Sequence, residues 1–286
     1  MAKKRIEFMD TSFRDGFQSV FGGLGGDELN AGEYEYFTYH FADLEANGKY
    51  DQLENEVNKW IEYHDHPIFR KTARSASTAV SLLVDSDSPG RFDADRGRIS
   101  RYDSVIDPEY FDSGSFQPIM EYPFQSYLKN RTYQDQFRET APPCLRALDR
   151  QNSSFNLDNF QPFFDHRLSE FMYRIPGDMK IRNGVTKVLL RRAMEGILPD
   201  VTRNRIKKTG WNAPAHIWFS GKGKEKLLDL VHSQPFKERE IYNTKAVIHL
   251  IEDHERIISS QSVEENHMMF LWQLVNLELW LQSNNF

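Results

Sequence analysis

Apolar residues in this chain recur mostly at helical spacing. Between Gln52 and His64, the positions Leu53, Val57, Trp60 and Ile61 share one face, which predicts an amphipathic helix ended by Pro67. Upstream, Tyr34, Phe37 and Phe41 fall three and four apart. They predict an acidic, aromatic-rich helix from Asp27 to Asn47 that Gly48 stops, with the aromatic stripe turned to the core. Small-residue spacing predicts a helix over 69–84, and the polar stretch 85–101 reads as a loop. Helices are expected at 124–138 and 144–150, separated by Pro142-Pro143, and from Asp165 to near Ile175. Thr186 to Ile197 reads as amphipathic, with Val188, Leu189, Ala193, Met194 and Ile197 inward. The remainder is helical and ends in an apolar helix, Met269 to Leu281. Residues 5–10 read as a short strand.

Composition narrows this picture. With 286 residues, 39% of them apolar and 13% aromatic, the chain can bury the core of one large domain or two. A formal net charge of −6 gives no general basic surface, which disfavours nucleic acid as a partner. The single cysteine, Cys144, excludes an internal disulfide and a cysteine-based zinc site and suits a cytoplasmic location. No apolar leader follows Met1. Met268 to Leu281 is short and carries Gln273, Asn276 and Glu278, so no membrane span is expected. His64-Asp65-His66 has a metal-ligand look, but its place beside Pro67 reads as a solvated helix end.

The chemistry gathers at Gly22-Gly23-Leu24-Gly25-Gly26-Asp27-Glu28-Leu29. Glycines leave backbone N–H groups unshielded, so an anion can approach closely. Asp27 and Glu28 then open a helix, where a carboxylate is favoured and can hold a divalent cation beside a bound phosphate. A tight connection with no ligand would use the same glycines.

The stretch from Gly23 through Gly25-Gly26-Asp27-Glu28-Leu29 to Tyr34 resembles the G-x-G-G-D-E-L-F-G-G-Y signature of the asparagine synthase family. Downstream, Phe163-Phe164-Asp165-His166-Arg167-Leu168, Lys180-Ile181-Arg182-Asn183-Gly184-Val185-Thr186-Lys187 and Leu189-Leu190-Arg191 are similar to its P-F-L-D-H-R-L and K-x-R-x-G-x-T-K-x-L-L-R runs. Arg205-Ile206-Lys207-Lys208 is similar to its R-x-K-K motif. The resemblance covers residues 23–286. It implies a mainly α fold with a small parallel α/β remnant, an ATP-pyrophosphatase-type synthetase domain. It also implies the family's two-step reaction: a small-molecule carboxylate attacks the α-phosphate of MgATP, and ammonia then displaces AMP to leave an amide. The ammonia would come from glutamine through a separate glutaminase domain.

By that resemblance, Gly23, Gly25 and Gly26 contact the nucleotide and Asp27 holds Mg2+. Lys207 contacts the reacting phosphate and is the catalytic cation; a solvated basic turn is the alternative. Thr186 and Lys187 fall in the matching motif without an assigned role, and Asp165 is read as a helix N-cap ahead of a catalytic group.

The departures also matter. No S-G-G-x-D-S segment occurs in the 286 residues, Ala2 stands where the glutaminase has its cysteine, and Leu24 replaces an acid. Phe160 replaces an arginine of the acyl site. Asp10-Thr11-Ser12-Phe13-Arg14-Asp15-Gly16 resembles the opening of a pyruvate carboxylase-type carboxyltransferase barrel. The expected division is therefore a head fragment, 1–22, and a synthetase domain, 23–286, lacking its first nucleotide-binding strand and loop. Three readings follow: an amide-forming enzyme incomplete in this chain alone, a non-catalytic relic or subunit that binds a partner, or a carboxyltransferase fragment; a homo-oligomer or a partner chain is the macromolecular partner expected.

Overall fold

The computed structural model describes residues 10–65, 70–83, 88–207, 214–262 and 264–284. The expected strand over 5–10 lies almost wholly outside them, and residues 10–14 are helical. The chain forms two compact units, Met1–Ala94 with Ile119–Thr209, and Asp95–Pro118 with Gly210–Phe286.

In the first unit, strand β1 (Ser19–Phe21) runs into the glycine stretch. It pairs in parallel with β2 (Asp158–Phe160), in the register Ser19 to Asp158 and Phe21 to Phe160. Parallel strands need a long crossover, and here helices supply it. These are α1 (Gly26–Asn30), α2 (Tyr36–Ala46), α3 (Tyr50–His64), α4 (Ala73–Leu83), α5 (Tyr127–Phe137) and α6 (Ala141–Ser153). After β2 come α7 (His166–Arg174), α8 (Val188–Ala193) and α9 (Asp200–Arg203). The mainly helical fold with a small parallel sheet is the one expected from sequence.

The aromatic helix α2 is the centre of the unit. Tyr36, Phe37, Phe41 and Ala42 are at most 1% exposed and pack on α3, α4 and α5. Burying one such aromatic ring fully contributes on the order of 2–3 kcal/mol. Its junction with α5 is polar. Asp43 accepts from the Ser126 hydroxyl at 2.6 Å and from the backbone N–H groups of Tyr127 and Leu128, so it satisfies orphan donors at the start of α5.

Several elements differ from the sequence reading. The helix expected over 27–47 is interrupted after Asn30, with Ala31 in the left-handed region, and Tyr34 lies outside α2 and is 43% exposed. Pro142 and Pro143 open α6 instead of breaking it, because the first helical turn needs no donor from them. The helix expected over 186–197 stops at Ala193, and Ile197 is 71% exposed. Gly196, at φ +72°, takes the chain out of helical geometry there.

The second unit is built on α10 (Lys222–His232), α11 (Thr244–Ser259) and α12 (Met268–Ser283), around Val231, Val247, Ile251, Leu271 and Leu274. The polar stretch 85–101 includes a helical turn, Arg96–Ser100, capped by Asp95. The closing helix α12 is buried on one face only: Leu271 and Leu274 are inside, while Met269, Trp272, Leu279 and Trp280 are exposed. Among the described residues, no helix is long and apolar enough to cross a membrane.

Candidate functional site

The glycine stretch is held from both ends by the segment after β2. Gly22 N–H donates to the Phe160 carbonyl at 2.9 Å, and Leu24 N–H donates to Gln161 Oε1 at 2.9 Å. Gly25 has φ +88°, and a Cβ there would lie 2.8 Å from the Phe164 ring. Gly26 faces Phe163 in the same way, whereas Gly23 faces open space. Two of the three glycines assigned to the nucleotide thus have a packing requirement of their own: they let the Phe163-Phe164 motif lie against α1.

Asp27 follows in the first turn of α1. Its carboxylate forms an ion pair with Lys187 Nζ, and both side chains remain partly exposed. Two of the matching motifs therefore meet at one point. Gly32 makes the approach possible, since a Cβ there would collide with Asp27 Oδ1 and with Lys187 Cε. Gly32 N–H donates to the Asp27 carbonyl and Lys187 N–H to the Asn30 carbonyl, so the chain must leave the helix at Ala31. The neighbouring Glu28 is only 5% exposed. Burial raises its pKa, and Asp27, Asp135 and Glu33 add to the rise.

Lys187 is placed by a turn anchored on α3. Arg182 and Val185 exchange backbone hydrogen bonds of 2.9 and 3.0 Å around Asn183 and Gly184, both at positive φ, the type I′ geometry that Asn-Gly favours. Glu56, 1% exposed, accepts from Asn183 N–H at 2.6 Å and Gly184 N–H at 2.9 Å. His64 Nε2 bonds the Gly184 carbonyl at 2.8 Å. His64 is thus a buried clamp on this turn and not a solvated helix end; His66 lies outside the described residues. Lys187 itself sits at φ +58°, capping α8. Alanine at Gly184 would adopt a strained φ and meet the Lys59 backbone at 2.8 Å. Gly184→Ala is therefore expected to cost roughly 2–3 kcal/mol in urea unfolding. A loss below about 0.5 kcal/mol, the range of ordinary surface changes, would show that the turn is not held this way.

Lys207 lies in an exposed bend after α9. It is within electrostatic reach of His64, whose pKa is lowered first by burial and then by Lys71 and Lys207, against the opposing bond to Gly184. His64 packs on Tyr34, at 5.3 Å between ring centroids, in the loop after α1. Lys208 and the loop 209–213 lie outside the described residues. Asp165 is found as the N-cap of α7, accepting from Arg167 N–H at 2.9 Å. Among the described residues, no group of three or more His, Cys, Asp or Glu side chains could hold a metal. A lone carboxylate such as Asp27 still suits Mg2+, which binds largely through water and substrate phosphates.

The asparagine synthase profile matches residues 8–282. The chain belongs to the asparagine synthase family. It is 29% identical to Asparagine synthetase (glutamine-hydrolyzing) 1 of Bacillus subtilis (strain 168) over 137 residues, 47% of this chain and 21% of that protein. It is 31% identical to Asparagine synthetase (glutamine-hydrolyzing) 3 of the same organism over 128 residues, 45% of this chain and 19% of that protein. The chain thus matches about a fifth of the length of these relatives. No solved structure gives a significant match. The asparagine synthase match takes in residues 8–22 of the head, whose resemblance to a carboxyltransferase is unsupported.

Proposed function

We propose that residues 23–286 form part of an ATP-pyrophosphatase-type synthetase domain, acting in the cytosol on a carboxylate, ATP and ammonia to make an amide. The observation that carries this reading is the ion pair between Asp27 and Lys187, which joins the glycine motif to the K-x-R-x-G-x-T-K motif at one partly exposed point. Asp27 would hold Mg2+, which when bound supplies neutralisation of phosphate charge. Lys187, released from Asp27, has its ammonium beside the same phosphates. Lys207, on its exposed bend, reaches the α-phosphate as negative charge builds there during adenylate formation. Gly23 leaves its N–H open to the nucleotide, and Gly25 and Gly26 fix the approach of the backbone.

Phe21 and Phe160 stack at 5.4 Å on the two-stranded sheet while 73% and 48% exposed. Parallel sheets are ordinarily covered on both faces, so this sheet suits completion by a segment bearing the S-G-G-x-D-S loop. A chain that only binds such a partner, without catalysis, would use the same surface. ATP–pyrophosphate exchange separates the two. The 286-residue chain alone is expected to show none with any carboxylate, and co-expression with a segment carrying S-G-G-x-D-S should restore it, with Asp27→Asn abolishing the gain. Exchange by the chain alone would refute incompleteness. No exchange in either preparation would favour the non-catalytic reading.

A further inference from the structure

A cavity of about 470 Å³ in the first unit is lined by Arg182, Arg191, Arg192 and Arg203, with Val185 and Val188 as its apolar wall. Neither Asp27 nor Lys187 lines it. Four guanidinium groups at one concave surface are unexpected in a chain of net charge −6. Some arginines elsewhere take carboxylate partners, as Arg131 does with Asp135 and Glu139, Arg138 with Glu121, and Arg256 with Asp253 and Glu264.

Among the described residues, Arg203 alone of the four makes an ion pair, with Asp200 at 3.0 Å and Glu195 at 3.9 Å. Arg191 spends its Nε on the Thr186 carbonyl and one terminal nitrogen on the Arg203 carbonyl. Carbonyls satisfy its donors but leave its charge uncompensated. Burial, and then the nearby Arg205, lowers its pKa, so this cation is held at a cost that a bound anion would offset. Arg182 and Arg192 are exposed and make no ion pair among the described residues. Glu56, beneath the turn, is committed to the N–H groups of Asn183 and Gly184.

We infer that this arginine-lined cavity binds a small multiply charged phosphate anion of the pyrophosphate class, at a site separate from Asp27 and Lys187. Guanidinium forks match phosphate oxygens two at a time, and three uncompensated cations suit a ligand carrying two to three negative charges. Through Arg191 and the Thr186 carbonyl, an anion held here would also brace the residue that precedes Lys187.

Inorganic pyrophosphate and inorganic phosphate are the probes, added to the intact chain at constant ionic strength, with thermal unfolding and calorimetric titration as readouts. Pyrophosphate should raise the unfolding temperature saturably and more than phosphate does, as binding to the native state alone requires. The exposed double variant R182Q/R192Q should fold normally by circular dichroism and bind at least tenfold more weakly. Lys187→Gln should retain the binding. Undiminished binding in R182Q/R192Q, loss in Lys187→Gln, or no pyrophosphate binding in the unmodified chain would each overturn the assignment.

Discussion

Lys207→Ala and Lys187→Ala are each expected to lower kcat by roughly 10²-fold or more wherever this protein forms an acyl-adenylate. That is the size of effect seen when one preorganised charge-stabilising group is lost. The two should differ in a second readout. Lys187→Ala removes the cation that pairs with the Asp27 carboxylate, so it should also shift the Mg2+ dependence of the rate. Lys207 is exposed and makes no ion pair among the described residues, so Lys207→Ala should leave both Mg2+ dependence and stability unchanged. Lys208→Ala serves as the basic-turn control and should cost less than about 0.5 kcal/mol with little effect on rate. Equal, small losses for Lys207 and Lys208 would mean that the basic run after α9 is a solvated turn.

The helices that could be read from sequence are those whose signals are local. The apolar face of α3 was visible as Leu53, Val57 and Trp60, and the observed helix, Tyr50–His64, starts two residues before the expected one. Asp165 carried a capping signature that the structure fulfils. What sequence did not reveal depends on contacts between distant segments. Gly32 is a stop signal of the same kind as Gly48, but the expected helix ran through it; the chain turns at Ala31-Gly32, where Asp27 meets Lys187. Lys187 stood in a recognised motif without a role, since a left-handed lysine carries no mark in composition or spacing. Glu56 would ordinarily be assigned to the wet face of an amphipathic helix; its burial follows from the two N–H groups of the Asn183-Gly184 turn. The exposed stripe of α12 was hidden for the opposite reason. Its apolar residues surround the helix, so no period shows which side is covered.

Stability should rise with pH between about 7 and 10.5, and the cause is one lysine. Lys180 opens the K-x-R-x-G-x-T-K motif but is 1% exposed, and among the described residues its Nζ has no hydrogen-bond partner; the ring of Tyr173 lies 5.3 Å away. Burial, with a smaller repulsion from Lys129, pulls its pKa from 10.5 down to about 7. Across that interval the unfolded chain binds a proton that the folded chain rejects, so folding is progressively disfavoured as pH falls toward 7. Below 7 both states are charged and the cost is complete. At about 1.4 kcal/mol per unit the full effect is on the order of 4–5 kcal/mol. His40, whose pKa burial lowers to about 4, acts in the same direction but only between about 4 and 6.5, so the two windows separate. Lys180→Met keeps the bulk of the side chain and removes the titrating amine. Urea unfolding of the variant should show a gain of several kcal/mol at pH 7, shrinking steadily toward pH 10.5. A gain that is the same at both pH values would mean that the lysine titrates alike in the folded and unfolded chain, and that its burial carries no charge penalty.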